Sequence, residues 1–122
     1  MTEKQLAWRL NFALETVGRC ERCGRGHDLQ VHEITNAHAR QESLTDPSCI
    51  LVVCAYCHRW LHGKGQHGKL LSLAYLYHRR PGDYDLKRIH ELRLDNWPDQ
   101  KMVDVEIKRL VQGDNQPEGA KK

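Results

Sequence analysis

The sequence predicts an α+β fold, mainly helical, with flanking helices packed around a small zinc-binding core of two strands and a helix. Three observations lead there. Two Cys-x2-Cys pairs, Cys20/Cys23 and Cys54/Cys57, stand thirty residues apart. Two short segments of strand character, LQVHEI and CILVV, lie between them. Helical periodicity accounts for most of the remaining chain.

The size fits one domain: 122 residues, of which 7% are aromatic. A chain this short and polar builds a thin core and gains from an added cross-link such as a metal. We divide it into an N-terminal helix (1–18), a zinc-binding core (19–68), a helical extension of the same domain (69–112) and a disordered tail (113–122).

Thr2 to Val17 reads as a helix. Thr2 supplies the N-cap, Leu6, Leu10, Leu14 and Val17 recur at helical spacing, and Gly18 supplies the stop. The segment from Arg19 to Asp28 carries the first cysteine pair between glycines and reads as a knuckle. Leu29 to Ile34 alternates apolar and polar residues, as a half-buried strand does. Thr35 to Ser48 is polar, contains Asp46-Pro47, and reads as a loop.

Cys49 to Val53 is an apolar, β-branched run, the second strand of a hairpin. A helix begins at Ala55 and breaks over the glycine-rich segment 63–68. A second helix resumes over Lys69 to Arg80, with Leu70, Leu73, Leu76 and Tyr77 on one side. Arg80 to Asp83 is a turn, and Asp83 or Asp85 caps a short helix through Leu92. Trp97-Pro98-Asp99 opens a last helix, with Met102, Val105, Ile107 and Leu110 as its apolar positions.

A two-residue spacer lets both sulfurs of a pair converge on one tetrahedral ion. Cys20, Cys23, Cys54 and Cys57 are therefore the predicted ligands of one structural Zn²⁺. Cys49, with no partner at ligand spacing, reads as a small core residue. The chain has no signal-like leader and no run of eighteen apolar residues, which predicts a cytoplasmic protein with no membrane contact. In that reducing compartment, paired cysteines favour metal over disulfide.

A second cluster is available. His58 and His62 share a helix face at i and i+4, and His32 on the first strand can complete a triad of neutral nitrogens. Such a triad leaves positions open for water and phosphate on a divalent ion.

The order Cys-x2-Cys, LQVHEI, an apolar strand and CAYCHRWLH resembles the HNH (ββα-metal) nucleases over residues 20 to 63. That resemblance implies metal-dependent DNA cleavage or nicking. His32, His58 and His62 would hold a catalytic Mg²⁺, Mn²⁺ or Ni²⁺, and the four cysteines the structural zinc. Where the family has its general-base histidine, this chain has Glu33, which then takes that role. Where the family has its middle asparagine, the register places Cys49, with Asn36 and Ser48 outside it. The segment LLSLAYLYHRRPGDYDLKRIHEL is similar to the tail of small HNH-like proteins of bacteriophages, which implies a host cytoplasm.

The net charge of +3 is mild, but every charged residue from Arg59 to Arg80 is basic. Such a stretch can follow a phosphate backbone or be a solvated helix face with its loop. In the first case Arg59, Lys64, Lys69 and Arg79 hold DNA. His38 and Arg40 could approach a phosphate from the loop, and His67 could contact nucleic acid. His78, Arg79 and Arg80 also suit a helix C-terminus electrostatically. Trp60 reads as core, and Trp97 as packing for the last helix. The alternative to a nuclease is an inactive HNH-like zinc module that binds nucleic acid or a host protein. No Walker loop, GxGxxG or Ser-His-Asp pattern is present, so NTPase and dinucleotide chemistry are unsupported.

Overall fold

A computed structural model describes residues 1–35 and 41–113. The loop residues Asn36, His38 and Arg40, and the tail from 114 on, lie outside the described residues.

Helix α1 spans Glu3–Asn11 and starts with a reciprocal capping box. Gln5 N donates to Thr2 Oγ1 at 3.1 Å, and Thr2 N donates to Gln5 Oε1 at 2.8 Å. Caps of this kind contribute about 1 kcal/mol. The helix widens into a π-helical turn over Phe12–Val17, and left-handed Gly18 at φ 72° ends it. The buried face is not the predicted leucine stripe. Leu6, Leu10 and Leu14 are more than half exposed, while Arg9, Phe12 and Ala13 are buried. Trp8 stacks on Phe12 with centroids 5.0 Å apart. This aromatic stripe covers the sheet because it removes more apolar area from water than leucines do.

Strands β1 (Leu29–Glu33) and β2 (Ile50–Cys54) pair antiparallel, with His32 opposite Leu51 and Glu33 opposite Ile50. Successive side chains alternate between the two faces. Leu51 and Val53 enter the main core, and Ile50 and Val52 pack with Phe12 and Ala13. β2 is buried on both faces, which is why its sequence is a continuous apolar run. Each such side chain contributes about 1.5–3 kcal/mol of burial free energy.

The predicted loop before β2 contains two 3₁₀ turns, Gln41–Thr45 and Pro47–Cys49. Asp46 caps the second through Ser48 N at 3.0 Å.

Helix α2 (Ala55–Gly63) is separated from α3 (Gln66–Arg79) by Lys64 and Gly65 alone. The predicted break over 63–68 is therefore shorter than the glycines suggest. Gly68 is helical because α2 and α3 touch there: a Cβ would collide with the Leu61 carbonyl. A 3₁₀ turn at Pro81–Asp83 leads to α4 (Leu86–Arg93), capped by Asp85, and then α5 (Gln100–Val111), capped by Asp99. Val105 is exposed, contrary to its predicted apolar role. The buried face of α5 carries Val103, Glu106 and Leu110.

One main core runs from Cys20 through Leu51, Leu61 and the α3 leucines to Leu110, so the zinc-binding segment and the helical extension share it. The architecture is mainly helical with one two-stranded antiparallel sheet, consistent with α+β. Cys49 is buried, while Trp60 and Trp97 are half-buried against the core. Among the described residues, no helix is long and apolar enough to cross a membrane.

Candidate functional site

The fold brings the four cysteines together at the end of β2. Ala55 N donates to Asp28 O, which ties the first knuckle to the start of α2. Cys54 is the N-cap of α2, and its sulfur accepts from Cys57 N at 3.5 Å. The first pair repeats the device, with Cys23 N donating to Cys20 Sγ at 3.4 Å. All four sulfurs lie within 4.8 Å of one another. The Cys23 and Cys54 sulfurs are 3.8 Å apart. Tetrahedral zinc with bonds near 2.3 Å requires sulfurs about 3.8 Å apart, and a disulfide requires about 2.05 Å. The cysteines are free, and their geometry fits one tetrahedral zinc ion.

Their electrostatics agree. The Cys57 thiol donates to Cys20 and brings it down to about 4 against its burial, with help from the backbone amides of Cys23, Cys54 and Arg22. Cys57 is pushed up by that same bond and by burial. The cluster thus favours the thiolate form at Cys20, the form that ligates a metal. Arg22 Nη1 lies 3.4 Å from Cys57 Sγ, and Arg25 Nη1 lies 3.8 Å from Cys54 Sγ. Two guanidinium groups therefore stand beside a cluster that carries two negative charges once four thiolates surround a divalent ion. The Arg22 guanidinium also stacks on Trp60, 3.5 Å from the ring centroid.

His32, His58 and His62 form a second group. One nitrogen from each lies within 4.8 Å of the others. His58 Nε2 and His62 Nε2 are 3.0 Å apart. His32 meets both rings edge-on, with centroids 5.1 Å and 5.4 Å away. Burial first, and then the two neighbouring imidazoles, lower His32 to about 3. His58 is lowered by burial and by His62. Both are therefore neutral at pH 7, the form that binds metal. Among the described residues, buried His32 Nδ1 has no hydrogen-bond partner, which fits a metal-ligating nitrogen.

Sequence reasoning missed Gln30. It lies two residues before His32, on the same face of β1, and its Oε1 is 2.6 Å from His58 Nδ1. Accepting from Nδ1–H, it leaves the Nε2 lone pair of His58 directed at the cluster. The i to i+2 period of a strand was the signal that could have found it.

A cleft of about 590 Å³ opens on the three histidines and is also lined by Arg9, Glu33, Lys69, Arg93 and Asp95. Glu33 projects from the opposite face of β1 to His32 and pairs with Arg9 at 3.3 Å. Arg9 Nη1 also donates to Leu44 O at 2.9 Å.

The predicted DNA-holding residues part company. Arg59 and Lys64 are exposed, with Lys64 Nζ 4.9 Å from the Trp60 ring centroid. Lys69 lines the cleft, but its Nζ donates to Trp97 O at 2.9 Å and its side chain is only 10% exposed. Arg79 Nε donates to Glu21 O at 3.0 Å. His67 is exposed beside buried Glu106, 3.6 Å away.

No family model, no curated protein and no solved structure matches the chain.

Proposed function

We propose that this chain is a metal-dependent DNA endonuclease or nickase of HNH type. The observation that carries this reading is the convergence of His32, His58 and His62 in a cleft beside Glu33. The antiparallel pair followed at once by α2, clamped by cysteines at both ends, gives it the expected ββα-like frame.

The three imidazoles would hold Mn²⁺ or Ni²⁺, and more weakly the oxygen-preferring Mg²⁺, with positions left open, and such an ion would polarise a phosphate and stabilise the departing oxygen. The chain's own residues do the remainder. His32 is held on the paired strand and kept neutral by burial. Gln30 fixes the His58 ring. Glu33 takes the proton of the attacking water, and Arg9 holds that carboxylate in place. Arg59 and Lys64, with Lys69 on the cleft wall, supply positive charge for the phosphate backbone.

One observation favours a second reading, an inactive zinc module that binds nucleic acid or a host protein. Glu33 is already paired with Arg9, on the strand face away from His32.

Plasmid nicking separates the two readings. Zinc-loaded protein in Mg²⁺, Mn²⁺ or Ni²⁺ should relax supercoiled DNA. His58→Ala should abolish that, and Glu33→Gln should slow it by about 10²–10⁴-fold. No nicking in any of these metals by folded protein would leave the binding module.

A further inference from the structure

The last residue before the α4–α5 connection is Leu94, the C-cap of α4, at φ 57° and ψ 37°. This left-handed position is sterically costly for leucine, and helices normally place Gly or Asn there. Leu94 gains no burial in return, because it is 80% exposed. Single exposed leucines are common. A leucine that is both exposed and held left-handed is not, and backbone strain of this kind collects at functional sites.

Its two chain neighbours line the cleft, while Leu94 itself stands just outside the lining. Arg93 and Asp95 both line the space that opens on the three histidines. Arg93 Nη1 donates to Thr35 O at 3.0 Å, which ties the end of α4 to the end of β1. Arg93 Nε and Asp95 Oδ2 are 3.7 Å apart, and Lys69 Nζ lies 3.8 Å from Asp95 Oδ1. Among the described residues, the charged groups lining the cleft are Arg9, Lys69 and Arg93 against Glu33 and Asp95. The balance is positive before any divalent ion is added, so the complement is an anion.

We propose that Leu94 is an apolar wedge that packs against the bases of DNA whose phosphate enters the cleft. The proposal rests on the nucleic-acid reading above. It extends the contact surface to the end of α4. Apolar side chains beside a basic groove contact bases in this way without reading their sequence.

The test is fluorescence anisotropy with a labelled 20-base-pair duplex. Full-length protein is loaded with zinc and given no further divalent ion, so that cleavage does not interfere. Leu94→Gly and Leu94→Asn relieve the left-handed strain and remove the wedge. The expected result is roughly tenfold weaker binding in both variants, with a melting temperature equal to or above that of the unmodified protein. A purely structural Leu94 would not separate stability from affinity in this way. Variants that bind as tightly as the parent would overturn the wedge and leave the nuclease reading standing. A parent protein that is folded and zinc-loaded yet does not bind the duplex would overturn the nucleic-acid reading and the wedge with it.

Discussion

The Glu21 carboxylate and the Arg80 guanidinium form a buried ion pair, with Nε 2.8 Å from Oε2 and Nη2 3.0 Å from Oε1. Glu21 also accepts from Val52 N at 2.8 Å, and its own amide donates to Val52 O at 2.8 Å. Arg80 donates further to Ile50 O, to Pro47 O and to Asp83. Two residues 59 apart in sequence therefore satisfy the free edge of β2 as a third strand would.

Losing Arg80 leaves the Glu21 carboxylate buried and unmatched, while losing Glu21 leaves Arg80, among the described residues, with Asp83 alone. Glu21→Gln or Arg80→Met should each cost about 3–5 kcal/mol, and the double variant should cost less than the sum of the two. Urea unfolding of the three variants measures the coupling.

Gln30 is exposed and touches the site only through His58. Gln30→Leu should weaken binding of an added divalent ion by about 10–100-fold, as loss of an orienting partner does. Thermal stability should stay close to that of the parent. Isothermal titration with Mn²⁺ on zinc-loaded protein reads the first effect, and a melt reads the second.

The strands, the cysteine pairs and the caps at Thr2, Asp85 and Asp99 were legible because each is a local signal: alternation, spacing, or an oxygen ahead of a helix. The buried face of α1 was not. Leucines 6, 10 and 14 and the Trp8–Phe12 stripe both fit a helical period, and only the partner surface, Ile50 and Val52, decides between them. Arg80 read as a charge suited to a helix end, because nothing local shows that Glu21 waits across the sheet. The three-histidine group was found through its i, i+4 pair plus a strand residue. Gln30 and the Glu33–Arg9 pair needed the strand register and the path of α1. Gly68 read as a breaker, although it is the residue that lets α3 start against α2.

Asp46 gives the structure an acid limb. Burial pushes its carboxyl up, but the Ser48 hydroxyl and amide and the Arg88 guanidinium more than offset this and hold it below its usual value. A depressed carboxylate stabilises the fold above its unfolded value, near about 3.9, and that stability is lost as pH falls through the folded value. Asp46→Asn should therefore lower stability at neutral pH and flatten the loss of stability as pH falls below the ordinary carboxylate range. Urea midpoints across that range give the slope.

Zinc removal should unfold the domain, because both knuckles and the start of α2 meet at the four sulfurs and the core is small. Far-UV circular dichroism after complete chelation should show lost helicity, restored by one equivalent of Zn²⁺. Cys57→Ser should mimic the chelated state. Retained helicity and an unshifted melt in metal-free protein would show that the cysteines are ordinary core residues.

The claim that His32, His58 and His62 hold a divalent ion distinct from the zinc is met most directly by anomalous diffraction from zinc-loaded crystals soaked in Mn²⁺. The predicted result is a manganese peak about 2.1 Å from one nitrogen of each imidazole, beside a zinc peak at the four sulfurs. Zinc at the sulfurs with no manganese at the three imidazoles would contradict the account and leave the histidines as neighbours that only bond to one another.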